Sequence, residues 1–178
     1  CGPMFRHERP QKGRQRQFHQ VGVELIGVEG PQADVEVIAL GFQVLDSLGL
    51  AGKVKLEINS LGDRSSRDAF RQVLVSFLTK YESSLSADSR ARLNQNPLRI
   101  LDSKDEKDRE IVSDAPKLGE YLNNESKHFL ASVESSLIDL DLPFERNENL
   151  VRGLDYYCHT AFEFTTSELG SQGTVLAG

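Results

Sequence analysis

The 178-residue chain is poor in cysteine and has no long apolar run. Its two cysteines, Cys1 and Cys158, are far apart in sequence, and neither belongs to a CxxC pair. That pattern argues against a disulfide scaffold or a zinc site and favours a reducing compartment. The chain also lacks the ~18 consecutive apolar residues of a membrane span and the charged-then-apolar pattern of a secretory signal. We therefore expect a globular cytoplasmic protein with no membrane partner, long enough to bury a core.

The usual glycine-rich phosphate-binding motifs are missing as well. Neither the GxxxxGK[ST] pattern nor GxGxxG occurs. A bound nucleotide would therefore be held by arginines on a sheet and not by a glycine loop at a helix N-terminus. No protein metal site is predicted either, because the spacing of the histidines matches no metal-ligand set or catalytic triad. The four histidines are His7, His19, His128 and His159.

Positive charge is scarce, with 21 Lys+Arg against 27 Asp+Glu, yet five cations gather in the stretch GPMFRHERPQKGRQRQFHQ at residues 2–20. Arginine offers a planar fork of donors that suits a polyphosphate. Two other interpretations remain at this point. The stretch could be a solvated outer face, or the basic loop of a general nucleic-acid-binding module, although the net charge of −6 opposes the latter. The five cations are Arg6, Arg9, Lys12, Arg14 and Arg16.

Residues 3–9 and 18–27 alternate like half-buried strands, and the polar stretch between them contains Pro10 and Gly13. This pattern predicts a hairpin with a long basic loop. Because strand side chains alternate with period two, one face of the hairpin would present charged and amide groups together. The residues predicted on that face are Arg6, Glu8, Gln20 and Glu24.

The rest of the chain predicts an α+β fold: an antiparallel sheet flanked by helices, with a mostly helical insertion. Helical spacing of apolar residues indicates a helix that stops near Gly49, and residues 53–63 read as a strand. Residues 63–147 are polar and mostly helical in pattern, with a charged run at 102–110 that we predict to be solvated. Strand patterns then return. The predicted divisions are a first part of the core at 1–62, an insertion at 63–147 and a second part of the core at 148–178.

Two of these stretches resemble known motifs. FRHERPQKGRQRQFHQ resembles motif 2 of class II aminoacyl-tRNA synthetases, which has an Arg-x-Glu pair, a variable loop and a Phe on the return strand. LVRGLDYYCHTAFEF, residues 150–164, resembles the histidine-specific signature of histidyl-tRNA synthetases. LEINSLGD and GSQGTVLAG fit the same family in the same order. The resemblance covers nearly the whole chain and implies a class II synthetase-type sheet, activation of L-histidine with ATP, and transfer of histidine to tRNA(His).

The resemblance also implies roles for residues around ATP. Arg6 matches the motif 2 arginine that holds the α-phosphate, and Arg152 matches the arginine of the histidine signature on the opposite side. Glu8 matches the residue that reads the adenine amino group, and Phe18 matches the ring that stacks on adenine. Arg14 matches the loop arginine near the terminal phosphates. ATP enters as a substrate, and Mg²⁺ is expected with its phosphates.

For the amino acid, Gln20 matches a residue near the histidine carboxylate and the α-phosphate. Glu24 and Tyr157 match the pair that bonds the imidazole ring, and Arg152 is expected to contact the bound histidine as well. A carboxylate and a phenol suit this task because a neutral imidazole has one donor and one acceptor nitrogen.

The resemblance further suggests that the chain is the central part of a catalytic domain. Family motifs 1 and 3 would lie before Cys1 and after Gly178, so we expect little activity from these residues alone and a homodimer in the full-length parent. The alternative is a non-catalytic, synthetase-like regulatory or sensor protein. Such relatives usually lose charged catalytic residues, whereas Arg6, Glu8 and Arg152 are all present here.

Overall fold

The structure is a computed structural model that describes residues 1–7, 14–152, 157–168 and 173–178. Strands β1 (Gly2–Phe5) and β2 (Gln17–Gln20) form the predicted antiparallel hairpin. The predicted extension of its second strand to residue 27 is wrong, because β2 ends at Gln20 and residues 21–29 have no regular secondary structure. The register explains the difference: Gly2, the first residue of β1, already pairs with Gln20. Residues after Gln20 therefore have no β1 backbone to hydrogen-bond with.

A second sheet forms the centre of the molecule. Helix α1 (Pro31–Ser47) precedes strand β3 (Lys55–Ser60), and the later strands are β4 (Phe144–Arg146), β5 (Thr160–Thr165) and β6 (Thr174–Ala177). The strand order is β4-β3-β5-β6, with β3–β5 and β5–β6 antiparallel. β4 pairs with β3 in parallel, so the predicted antiparallel sheet carries one parallel edge. The α+β class is confirmed.

One hydrophobic cluster joins this sheet to two helices. Helix α5 (Asn124–Asp139) packs beside α1, and both helices contribute buried side chains that meet the apolar face of β3 and β5. Apolar residues recur at helical spacing in α1 and alternate in β5, and these positions are buried. The buried members from α1, β3, β5 and α5 are Val35, Ile38, Leu45, Leu56, Ile58, Phe162, Phe164, Val133 and Leu137.

A helical block follows β3. It contains α2 (Arg64–Thr79), α3 (Ala87–Leu93) and α4 (Glu106–Ser113), with single turns of 3₁₀ helix at Pro97–Ile100 and Leu118–Tyr121. Apolar residues recur at helical spacing along α2, and Phe70, Leu74 and Leu78 are fully buried in a second hydrophobic cluster. No helix of the described residues is long and apolar enough to cross a membrane.

The charged run at 102–110 corrects one expectation. Most of its residues are exposed, as predicted, but Asp108 on α4 is fully buried. Its carboxylate accepts hydrogen bonds from the Ser86 amide at 2.8 Å and from the hydroxyls of Ser86, Ser89 and Ser103 at 2.6–2.7 Å. Burial alone would raise the pKa of Asp108, but these hydrogen bonds, with that from Ser89 the largest, lower it to about 2.

The N-termini of α2 and α5 cap each other. Asp63 is the N-cap of α2 and accepts from the Ser66 amide at 2.8 Å and from the Asn123 side chain at 2.9 Å. Asn123 is in turn the N-cap of α5 and accepts from the Ser126 amide at 2.8 Å. The hydroxyls of these two serines accept hydrogen bonds as well. Ser66 Oγ accepts from the backbone N–H of Asn123, and Ser126 Oγ accepts from the backbone N–H of Asp63, both at 3.1 Å. This network fixes where α2 begins.

Candidate active site

The hairpin brings three of the predicted site residues together. Because Met4 lies opposite Phe18 and Gly2 opposite Gln20, period-two alternation places the Arg6 side chain on the same face as Phe18 and Gln20. Arg6 Nη2 donates a hydrogen bond to Gln20 Oε1 at 3.0 Å, and Arg6 Cζ lies 4.9 Å from the centre of the Phe18 ring. The guanidinium is thus held by an amide and by an aromatic face.

The hydrogen bond and the ring contact of Arg6 do not involve the other predicted site residues of the N-terminal part, which are Glu8, Arg14 and Glu24. Arg14 is half-buried and lies three residues before β2, and Glu24 is exposed in the irregular segment after β2. Glu8, the predicted reader of adenine, lies outside the described residues.

A second group surrounds Arg152. Arg152 Nη1 donates to Glu163 Oε1 at 3.2 Å, and the other carboxylate oxygen of Glu163 accepts from Thr174 Oγ1 at 2.7 Å. Arg152 and Glu163 side chains are only 23% and 21% exposed, so this ion pair is largely shielded from water. Tyr157 lies beside it, with Arg152 Cζ 5.9 Å from the ring centre. Arg152 and Tyr157, both predicted as histidine-site residues, are therefore neighbours.

The strand pattern explains how Glu163 reaches this position. In β5 the side chains of Phe162 and Phe164 are buried in the core, so Glu163 between them faces the other side of the sheet. There it stands beside β6, which supplies Thr174, and opposite Glu57 of the central strand β3.

Arg152 and Tyr157 line one wall of a cleft of about 360 Å³, here named the α2 cleft. Its opposite wall is α2, which contributes Arg64, Arg67 and Arg71 together with Asp68. Four arginines against one aspartate give the cleft a positive surplus. The remaining lining residues are Leu61, Gln95, Asn96, Pro97, Leu98, Leu118 and Val151.

Five of the predicted site residues thus fall into two groups, the hairpin group of Arg6, Phe18 and Gln20 and the signature pair of Arg152 and Tyr157. Sequence reasoning did not single out Glu163 or the three α2 arginines. The signal for the arginines was available, because Arg64, Arg67 and Arg71 recur at spacings of three and four and must share one helix face. Among the described residues no group of three His, Cys, Asp or Glu side chains could hold a metal ion.

Comparison with known proteins identifies relatives along the entire chain. The family described as "Histidyl-tRNA synthetase" matches residues 1–178. A histidine–tRNA ligase of Rhodospirillum rubrum is 63% identical over 177 residues, which is 99% of this chain and 43% of that protein. One from Wolbachia pipientis wMel is 56% identical with the same coverage. The chain therefore spans less than half the length of these curated relatives.

Solved structures agree with the fold. The apo crystal structure of Staphylococcus aureus histidyl-tRNA synthetase superposes with a TM-score of 0.72 at 38% identity, covering 99% of this chain and 40% of that one. A Bacillus halodurans protein titled "ATP phosphoribosyltransferase regulatory subunit/histidyl-tRNA synthetase" shares the fold, with a TM-score of 0.53 at 24% identity over 90% of this chain and 46% of that one. By family match, identity and fold, the chain belongs to the histidyl-tRNA synthetase family.

Proposed function

We propose that the chain is the central part of the catalytic domain of a histidine–tRNA ligase. In this proposal residues 1–62 and 148–178 form the catalytic core, and residues 63–147 form the insertion. The observation that carries the proposal is the pair of pre-set arginines: Arg6 is held by Gln20 and Phe18, and Arg152 is held by Glu163 beside Tyr157. Fixed cations of this kind are what adenylate formation needs.

The chemistry explains why arginines suffice for the first step. The carboxylate of histidine is already ionised, so it can attack the α-phosphorus of ATP without a general base. One oxygen–phosphorus bond forms while the bond to pyrophosphate breaks, and negative charge builds on the phosphoryl oxygens. Arg6 and Arg152 on opposite sides of the α-phosphate would align the reactants and stabilise that charge, and Arg14 would contact the terminal phosphates. Mg²⁺ would accompany the phosphates of ATP.

The hairpin also suggests how adenine is bound. Arg6 covers one face of the Phe18 ring, which leaves the opposite face for stacking on adenine. Gln20, which fixes the Arg6 guanidinium, would also lie near the histidine carboxylate and the α-phosphate. Glu8 remains the proposed reader of the adenine amino group.

Histidine recognition requires that two side chains distant in sequence, Glu24 and Tyr157, come together around the imidazole ring. Glu24 and Tyr157 are the proposed partners of the two imidazole nitrogens, and a site built from them would reject analogues that lack those nitrogens. Glu24 is exposed in the segment after β2, so the proposal requires that this segment folds toward Tyr157 in the assembled protein. We further propose that the full-length polypeptide, meaning the gene product that contains these residues, is a cytoplasmic homodimer that transfers histidine to tRNA(His).

The test is histidine-dependent pyrophosphate exchange by the full-length polypeptide. Arg152→Ala should lower the adenylation rate by roughly 10²–10³-fold, because it removes one pre-organised donor of the transition state. Histidine binding measured by equilibrium dialysis should change little. Arg109→Ala on α4 is the matched control, since Arg109 is exposed and lies outside both site groups.

Two outcomes would contradict the proposal. A full-length wild type without any exchange would favour the alternative, a non-catalytic regulatory or sensor protein with this fold. An active wild type with an Arg152→Ala rate equal to that of the control would show that Arg152 is misassigned.

A further inference from the structure

The α2 cleft holds more positive charge than the proposed activation of histidine uses. Arg152 is already assigned to the α-phosphate of ATP, but Arg64, Arg67 and Arg71 on the facing helix have no part in that scheme. They occupy positions i, i+3 and i+7 of α2 and therefore line the same side of the cleft. Arg67 is half-buried, whereas Arg64 and Arg71 line the cleft with exposed side chains. Positive charge gathered along one cleft favours an anionic occupant.

The position of the row within α2 makes a purely structural role costly. Arg64 and Arg67 lie in the first turn of the helix, where the aligned backbone dipoles place partial positive charge and where cations are disfavoured. The first turn of α2 has no acidic residue after the Asp63 cap, and Asp68 reaches Arg64 only at 3.9 Å. The Asp63 cap already accepts from the first-turn amide of Ser66, so an anion placed beside this turn would be stabilised by the arginines.

Two donor atoms in the cleft wall are also left without protein partners. Arg67 Nη1 and Arg152 Nε are buried, and neither has a hydrogen-bond acceptor within the residues that the structure describes. A buried, unpaired donor on a charged group is expensive. Both arginines line the cleft, so their other guanidinium nitrogens can donate to an oxyanion bound between α2 and the Arg152 segment.

The chemistry of the lining identifies the class of anion. Guanidinium groups arranged as forks match the tetrahedral oxygens of phosphate, and the cleft volume of about 360 Å³ is that of a small-ligand site. The side chain of Gln95 adds a neutral amide that can bond to a nucleotide's sugar or base. We propose that the α2 cleft is a phosphate-binding site, with Arg67 and Arg71 as binding residues in addition to those proposed for ATP.

This inference rests on the proposed function for the source of the phosphates, which can be ATP or the phosphodiester backbone of a polynucleotide substrate. The test uses the full-length polypeptide with two variants. Arg71→Glu reverses an exposed charge, so folding should be unaffected, and Arg67→Lys keeps the charge but removes the fork. Arg109→Glu on α4 makes the same charge reversal outside the cleft and is the control.

Three measurements separate the sources: pyrophosphate exchange at varied ATP, aminoacylation at varied tRNA(His), and filter binding of tRNA(His) without catalysis. We expect Arg71→Glu and Arg67→Lys each to raise the KM of a phosphate-bearing substrate about tenfold or more, since a charge-assisted bond is lost. If the phosphates belong to ATP, the KM for ATP rises in exchange. If they belong to the polynucleotide, exchange is normal and the KM for tRNA rises. Arg71→Glu then also lowers the salt dependence of tRNA binding by about one ion or more, whereas Arg67→Lys, which keeps the charge, leaves that dependence unchanged.

The inference is overturned if the wild type is active and both variants match Arg109→Glu in all three measurements. A wild type that shows no exchange contradicts the proposed function instead. In that case binding without catalysis still decides the cleft, with tRNA(His) measured by filter binding and ATP by equilibrium dialysis. Weakening of either by Arg71→Glu relative to Arg109→Glu supports a phosphate site, and no weakening of both contradicts it.

Discussion

Glu163 accepts hydrogen bonds from Arg152 and Thr174, one through each carboxylate oxygen, and so links the segment before Tyr157 to β5 and β6. In the proposed reaction Glu163 is a positioning residue, because it orients the Arg152 guanidinium without contacting substrate. Its charge also matters, since a carboxylate binds a shielded guanidinium far more strongly than a neutral amide does.

At this residue scale we predict that Glu163→Gln lowers the adenylation rate about tenfold, the cost of weakening one charge-assisted hydrogen bond. The KM for histidine should change little, whereas a merely structural defect would disturb both constants. Single-turnover kinetics of the full-length polypeptide measure the rate. Glu145→Gln is the control, because Glu145 pairs with Lys55 on an exposed edge where an ion pair contributes little. Equal rates for the two variants would remove Glu163 from the mechanism.

Asp108 shows a carboxylate in a structural role. It is fully buried, and four hydrogen bonds from three serines satisfy it. Because its pKa is about 2 in the folded protein and near 4 in an unfolded chain, it contributes stability at neutral pH that is lost as the pH falls from about 4 to about 2. The contribution is roughly 2 kcal/mol.

We predict that Asp108→Asn lowers the free energy of unfolding at pH 7 by roughly 1–3 kcal/mol, because an amide cannot accept all four hydrogen bonds. It should also flatten the acid limb of the stability curve below pH 4. Urea unfolding across that pH range measures both effects. Asp88→Asn makes the same exchange at an exposed position of α3 and should change stability by less than about 0.5 kcal/mol. If the free energy of unfolding of Asp108→Asn falls below pH 4 as steeply as that of the wild type, the lowered pKa of Asp108 is not the source of that pH dependence.

Prediction from sequence succeeded at this scale where the pattern is local. Period two placed Arg6 and Gln20 on one face of the hairpin, and they are hydrogen-bonded there. It failed where the partner is distant in sequence. Asp108 lies in a run of charged residues like any solvated one, and nothing local marks it as the acceptor for Ser86 and Ser89, about twenty residues earlier.

At the scale of elements, the junction between β3 and α2 depends on Gly62. Its φ of +64° lies in the left-handed region, and a Cβ there would come within 2.8 Å of both Leu122 Cδ2 and Ser66 Cβ. Gly62 also accepts a hydrogen bond from the His159 amide at 2.9 Å, which ties the turn to the start of β5. The turn therefore sets the position from which α2 directs its arginines into the cleft.

We predict that Gly62→Ala lowers the free energy of unfolding by roughly 1–3 kcal/mol, the cost of a strained backbone combined with a steric clash. Chemical denaturation monitored by circular dichroism gives the value. Gly52→Ala is the control, since a Cβ at Gly52 meets no atom within 4 Å and its φ is not in the left-handed region. A Gly62→Ala variant as stable as the control would refute the proposed strain.

For helices and strands too, prediction from sequence succeeded where the pattern is local and failed where the partner is distant in sequence. Helices α1 and α2 and strands β3 and β5 were predictable because their apolar residues recur with the period of one regular structure. β4 was not predicted as a parallel partner of β3, because parallel pairing leaves no turn signal in the sequence and depends on a strand about ninety positions away. Residues 21–27 have a strand-like pattern, but no strand pairs with them among the described residues, so pattern alone gave the wrong answer.

At the scale of the whole molecule, the hairpin of β1 and β2 forms its own two-stranded sheet in the described residues, apart from the four-stranded one. Isolated hairpins are marginally stable in water. The apolar side chains of Phe5 and Ile26 near it are 72% and 85% exposed. The hairpin carries Arg6, Phe18 and Gln20. These residues of the proposed ATP site therefore lie on a two-stranded sheet that pairs with no further strand among the described residues.

We therefore predict that the 178 residues alone show little or no histidine-dependent pyrophosphate exchange, whereas the full-length polypeptide is active. The chain spans 43% of the length of its relatives, and the remainder would supply support for the hairpin. Thermal unfolding of the isolated chain is the companion measurement, because a cooperative transition would show that inactivity does not come from a failure to fold. Robust exchange by the isolated chain would contradict the prediction.

The central position of β3 has a consequence for folding during synthesis. Both of its neighbours in the sheet are made much later: Lys55 of β3 contacts Glu145 of β4, 90 positions on, and Glu57 contacts Thr165 of β5, 108 positions on. At roughly 5–20 residues per second, β3 waits on the order of 5–20 s for its first partner. Helices α2 to α4, whose contacts are closer in sequence, can pack in that interval. Until β5 and α5 are made, Leu56 and Ile58 can pack only against α1, whose buried residues are the members of their hydrophobic cluster already synthesised.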